Sequence, residues 1–230
     1  MNTNDIPLLE CVTVEPELEA EGVVIWLHGL GASGHDFEPI VPHLNLPHIR
    51  FVFPHAPQLP VTINGGMVMP AWYDIRTISE SPDRESEEDI RSAAEQVQAL
   101  IEREEGRGIP SSRIVLAGFS QGAAMALHVG LRQERPLLGI MVLSGYLVLE
   151  DTVDSEWTQA SSQVPLFSSH GRRDGVVPHA RGHAAFERAA RDREESKWSD
   201  YPMMHEVCGP QIADIAGWLQ NLFGRSSKSS

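Results

Sequence analysis

The sequence predicts an α/β fold with a mostly parallel central sheet flanked by helices. Three observations carry this. Short apolar runs alternate with amphipathic segments along nearly the whole chain. One of those runs, GVVIWLHG (22–29), is continuous rather than alternating, as in a strand covered on both faces. No repeat, linker or compositional break interrupts the series. Such alternation implies right-handed crossovers between parallel strands. The length of 230 residues suits one domain, assigned here to 1–223, with GRSSKSS (224–230) as a disordered tail.

The elements follow in order. LLECVTV (8–14), GVVIWLHG (22–29) and IRFVFP (49–54) read as strands, and DFEPIVPHL (36–44) as a short helical crossover disturbed by two prolines. The stretch 55–83 is rich in Pro, Gly and Asn and shows no sustained period, so it reads as a long loop of the kind that tends to be functional. It carries Met67, Val68, Met69, Trp72 and Tyr73, more apolar surface than a solvated loop needs. A wall over a binding cleft and a loop packed on the core explain that equally well. Ser86 and Asp89 make a capping-box-like start to a helix whose Ile90, Ala94, Val97, Leu100 and Ile101 share one face. RIVLAG (113–118) is a strand and QGAAMALHVGL (121–131) a helix. LLGIMVLSG (137–145), VPLFSSHG (164–171) and KWSDYP (197–202) are strands, with a helix at 179–194 between the last two. A closing helix spans 210–223, with Ile212, Ile215, Leu219 and Leu222 on one face.

The net charge of −14, from 18 basic and 32 acidic residues, argues against nucleic acid and anionic lipid as partners. No apolar run approaches the roughly 18 residues of a membrane span, and the N-terminal MNTNDIPLLE lacks the features of a signal peptide. Two cysteines, Cys11 and Cys208, fit a reducing compartment. The expectation is a cytoplasmic protein without stable membrane insertion.

The chemistry centres on Gly118-Phe119-Ser120-Gln121-Gly122, a G-x-S-x-G pattern between a strand and a helix. A serine there can cap the helix. It can also be a nucleophile on a strained strand-to-helix turn, with the helix N-terminus supplying free N–H groups. The strand–turn–helix context favours the nucleophile. On such a sheet the partners follow as acid, then histidine. Only His179, His183 and His205 lie beyond the candidate acid Asp174. His179 and His183 fall within a helix, whereas His205 lies in a loop after the last strand, so His205 is the candidate base. Asp174 would hold the imidazole tautomer, although an Asp before Gly175 also suits a plain turn. Asp151 and Asp154, in a polar segment without a strand, rank below it. Main-chain N–H groups of Gln121 and of Leu30, in the glycine-rich WLHGLGASGHDF (26–37), are the candidate oxyanion donors. That loop is no Walker A motif. Gly29, Gly31 and Gly34 have dinucleotide spacing without a well-placed acidic ribose partner, so nucleotide binding is disfavoured. His28, His35, His43 and His48 are scattered without a zinc-site spacing, so no metal is expected.

Five blocks, LHGLGASGHDF, FPHAPQLPVTINGGMVMPAWYDI, LAGFSQGAAMALHVGL, SHGRRDGVVP and MMHEVCGPQIADIAGWL, together resemble the phospholipase/carboxylesterase family of α/β-hydrolases, in family order from about residue 22 to 222. That family includes bacterial carboxylesterases and acyl-protein thioesterases. The resemblance implies the α/β-hydrolase fold, Ser120 as nucleophile, Asp174 as acid, His205 as base, and Leu30 and Gln121 as oxyanion donors. It also implies that NGGMVMPAWYDI lines the acyl pocket, making Met67, Val68, Trp72 and Asp74 candidate substrate-binding residues, and it leaves a homodimer open. The expected activity is cofactor-free hydrolysis of short- to medium-chain acyl esters, small-molecule substrates, through an acyl-enzyme. The alternatives are an acyl-protein thioesterase or lysophospholipase acting on longer chains, and a non-catalytic protein of the same fold that binds a small apolar ligand or a protein.

Overall fold

The computed structural model describes residues 6–79, 81 and 83–226. In chain order its elements are β1 (Cys11–Val14), β2 (Gly22–Leu27), α1 (Val41–Leu44), β3 (Ile49–Pro54), β4 (Gln58–Val61), β5 (Met67–Pro70), α2 (Glu87–Gly106), β6 (Ile114–Phe119), α3 (Gln121–Gly130), β7 (Gly139–Leu143), α4 (Val153–Glu156), β8 (Leu166–Gly171), α5 (His179–Ala190), β9 (Ser196–Tyr201) and α6 (Gly209–Ser226). Seven strands form one sheet in the order β1-β3-β2-β6-β7-β8-β9, parallel throughout except for β1, which pairs antiparallel with β3. This is the mostly parallel sheet of an α/β-hydrolase.

Period-two alternation divides the sheet's side chains between two apolar layers. On β2, Val23, Ile25 and Leu27 pack with residues of α2, α3 and α5, while Val24 and Trp26 pack with α1 and α6. Every residue of β2 is buried. That burial on both faces is why the run carries no polar alternation. In α2 the side chain of Ser86 accepts the Asp89 N–H, half of the capping box, and Glu87, Glu88 and Asp89 sit in the first turn where the helix dipole favours them.

The helix expected at 179–194 ends at Ala190, and the structure differs from the sequence reading in three further places. The segment 55–83 contains a hairpin, β4 against β5, with Gly65 and Gly66 at positive φ in its turn. Two prolines and the shortness of the strands hide it from periodicity, and Asn64-Gly65 is the turn signal that marks it. The 36–44 crossover is reduced to a 3₁₀ turn and the single turn α1. The closing helix continues to Ser226, so 224–226 of the expected tail are helical, and 227–230 lie outside the described residues.

Three histidines, His28, His128 and His170, are buried, and burial pushes each imidazole below its ordinary value, His128 to about 3. In the unfolded chain each takes up a proton near pH 6.5, whereas in the fold it stays neutral to lower pH. Below that pH the unfolded state therefore binds more protons, and stability falls as pH falls. His128 alone should contribute a slope of about 1.4 kcal/mol per pH unit between roughly pH 6 and 4. Urea midpoints measured across that range should fall with pH more steeply for the natural protein than for His128→Gln.

Candidate active site

The site lies at the carboxyl ends of β2, β6, β8 and β9, where the connecting loops converge. Ser120 occupies the turn from β6 into α3 with φ 54° and ψ −119°, a left-handed conformation costly for a side-chain residue. Its N–H is held by the Leu143 carbonyl (2.9 Å), and its own carbonyl accepts from Ala124. The turn is possible because two glycines permit a close approach. A Cβ on Gly118 would strike the backbone of Gly122, and one on Gly122 would strike the carbonyls of Leu27 and His28. Although Ser120 stands at the N-cap position, its side chain makes no capping hydrogen bond. Its hydroxyl instead meets His205 Nε2 at 2.8 Å.

His205 stands in the loop between β9 and α6, with its ring against Phe119 (centroids 4.8 Å apart). Its Nδ1 lies 2.7 Å from Asp174 Oδ2. The Asp174 side chain is fully buried, and its Oδ1 accepts the N–H groups of Val176 (2.8 Å) and Val177 (2.9 Å). A carboxylate can only accept, so Nδ1 carries the imidazole proton and Nε2 is free to accept from Ser120. The Asp174 loop and the His205 loop are joined by main-chain bonds from Arg172 to Tyr201 and from Arg173 to Met203. Residues far apart in the chain thus form one continuous Ser120–His205–Asp174 array. The competing acid Asp154 is exposed and paired with Arg188 and Arg191, and Asp151 is also exposed.

The Gln121 N–H opens α3 and has no intrahelical acceptor. Among the described residues no main-chain acceptor takes the Leu30 N–H, whereas the next N–H, of Gly31, bonds the Pro70 carbonyl. His28, which the sequence reading left without a role, shapes this loop. Its Nε2 accepts the Ala56 N–H (3.0 Å) and its Nδ1–H donates to the Gly29 carbonyl (2.7 Å), an arrangement only the neutral imidazole can make. A cavity of about 390 Å³ opens beside Ser120 and His205, lined by Leu30, Phe37, Ile40, Phe119 and Val207, with Asp36 and Glu206 also at its wall. Among the described residues, no three His, Cys, Asp or Glu side chains are grouped to hold a metal ion.

The four residues expected to bind substrate are not among those lining this cavity. Met67 and Val68 stand exposed on β5. Trp72 is buried, its N–H donating to Gln121 Oε1 (2.9 Å) and its indole N–H to the His28 carbonyl (2.8 Å). Asp74 accepts the Thr62 N–H and hydroxyl and so closes the turn after β4. Trp72 and Asp74 therefore support the site from within. Side chains alternate between the faces of β5, and Met69 rather than its neighbour Val68 lies beside Gly31. The Gln121 side chain also donates to the Tyr73 carbonyl (2.8 Å), tying the segment after β5 to the Ser120 turn.

An α/β-hydrolase carrying such an array is a serine hydrolase. The chain belongs to the phospholipase/carboxylesterase family, whose family model matches residues 9–223. It is 33% identical over 222 residues to acyl-protein thioesterase 1 of Yarrowia lipolytica, covering 94% of this chain and 98% of that protein. It is 40% identical over 171 residues to acyl-protein thioesterase 1 of Schizosaccharomyces pombe, covering 74% and 76%. Among solved structures, Arabidopsis thaliana SOBER1 superposes with TM-score 0.81 at 29% identity, covering 88% of this chain and 99% of that one. Zea mays acyl-protein thioesterase 2 superposes with TM-score 0.82 at 25% identity, covering 94% and 99%.

The glycine contacts carry a prediction. Gly122→Ala should push α3 away from β2, costing about 1–3 kcal/mol of stability and lowering turnover. Urea unfolding and ester hydrolysis on the same preparation check both effects. Unchanged stability would show that the backbone yields without cost.

Proposed function

We propose that this chain hydrolyses acyl thioesters and esters through an acyl-enzyme on Ser120, with medium to long acyl thioesters as its preferred class. His205 accepts the Ser120 proton as the hydroxyl attacks the acyl carbonyl, and returns it to the departing thiol or alcohol. Asp174 keeps the imidazole in the Nδ1–H tautomer and stabilises the imidazolium. The Leu30 and Gln121 N–H groups receive the oxyanion, each donor of this kind being worth about 3–4 kcal/mol. Water activated by His205 then releases the acid. The observation that carries this reading is the 2.8 Å and 2.7 Å chain from Ser120 through His205 to Asp174 beside an apolar cavity. The thioester preference is supported by the similarity to acyl-protein thioesterases over most of the chain.

The cavity volume favours a second reading. About 390 Å³ lies at the low end of the range for small-molecule sites, which suits the short- to medium-chain carboxylesterase expected from the sequence. Among the described residues no helix is long and apolar enough to cross a membrane, and both cysteines are free, as suits the proposed cytoplasmic location.

Hydrolysis of matched acetyl, butyryl, octanoyl and palmitoyl thioesters and oxygen esters tests the proposal. Thioester turnover should rise with chain length and fall by about 10³-fold or more in Ser120→Ala. A rate falling beyond butyryl would favour the carboxylesterase reading. Activity that persists in Ser120→Ala would remove Ser120 as the nucleophile.

A further inference from the structure

His170 is the last residue but one of β8 and has no part in the mechanism above. It is 1% exposed. Its Nε2 lies 2.9 Å from the Val177 carbonyl and 3.3 Å from Asp174 Oδ2. A carbonyl can only accept, so Nε2 must carry the proton. That N–H donates to the Val177 carbonyl, and its positive end lies near Asp174 Oδ2 without making a hydrogen bond to it. Among the described residues Nδ1 has no hydrogen-bond partner, and it faces Gly182 of α5 so closely that a Cβ there would collide with it. Protonation would put an N–H where no acceptor stands, and burial pushes the imidazole below its ordinary value. His170 is therefore locked as a neutral Nε2–H donor.

This donor completes the surroundings of Asp174. Oδ1 takes the N–H groups of Val176 and Val177, and Oδ2 takes the N–H of His205 with the His170 N–H dipole 3.3 Å away. Val177 is used twice, its N–H on the carboxylate and its carbonyl on His170, so the ring both contacts Asp174 and holds the loop that orients it. We infer that His170 is a positioning residue that fixes the orientation of Asp174 through Val177 and steadies its charge, and so readies His205 to take the Ser120 proton. This rests on the proposed roles of Ser120, His205 and Asp174.

The groups facing His170 are Asp174 on its own loop, His205 beyond it, His179 of α5 edge-on at 5.7 Å, and Trp198 of β9 stacked at 6.1 Å. Asp200 of β9 pairs with His179 (3.3 Å) and with Arg172 (3.7 Å). Without the His170 N–H dipole, Asp174 bears its charge more fully against His205, which favours the imidazolium over the neutral ring. The catalysis-competent neutral His205 then forms only at higher pH.

The test is kcat and KM for p-nitrophenyl butyrate across pH 5–9 in the full chain, using His170→Phe, which keeps a ring without the donor, and His170→Gln, whose amide N–H replaces Nε2. His170→Ala serves as a second donorless variant where the larger ring is not accommodated. The donorless variants should lose about tenfold or more in kcat, with KM changed less than about twofold. The acid limb of kcat/KM should move up by about half a pH unit. The glutamine variant should restore the limb to its natural position and recover most of kcat. Folded donorless variants whose acid limb overlays that of the natural protein would overturn the inference, as would a glutamine variant no better than them. Ser120→Ala in the same assay separates the two levels. Activity surviving there counts against the proposed function, whereas Ser120-dependent activity indifferent to His170 counts against this inference alone.

Discussion

The contact of Gly122 with the carbonyls of Leu27 and His28 is the constraint on which the site depends. It seats the start of α3 directly on the end of β2, so the turn carrying Ser120 and the loop carrying Leu30 meet. A side chain at either Gly118 or Gly122 would separate them. The same closeness over-determines the strained backbone of Ser120, which β7 also anchors through the Leu143 carbonyl. A hydroxyl at a helix cap position is thereby turned away from the helix and toward His205.

The opposite half of the array comes from the far edge of the sheet. β8 and β9 are parallel neighbours, so their following loops emerge side by side, and two main-chain bonds hold them together. Burial then does selective work. Asp174 is removed from water but surrounded by N–H donors, which keeps its charge compatible with the interior. His28 and His170 are held neutral, so each presents one fixed donor rather than a variable charge.

A third part of the construction lies in 55–86. The hairpin is short and exposed, yet the residues after it are anchored firmly, Trp72 to His28 and Gln121, and Tyr73 to Tyr146 by paired hydroxyls at 2.7 Å. Gln121 thus opens α3 beside Ser120 while its side chain pins the neighbouring segment. The aromatic content that marks this stretch as more than a solvated loop therefore belongs to the support of the site, with Met69 nearest the Leu30 loop.

The order of strands and helices was legible because the strands from β2 to β8 of the parallel sheet are buried along their length and α2 and α5 on one face, patterns that local sequence cannot hide. Ser120 was legible because a sharp strand-to-helix turn requires glycines at fixed offsets, and Asp174 and His205 because parallel strands put their loops at one end in chain order. The hairpin at β4–β5 was not, since four-residue strands with prolines give no usable period, nor was the helical end at Ser226. Which side chains line the cavity, and the roles of His28, His170 and the Gln121 amide, depend on contacts between residues dozens of positions apart. Such contacts leave no mark on local pattern, because burial and hydrogen-bond partners are decided only when the elements close on one another.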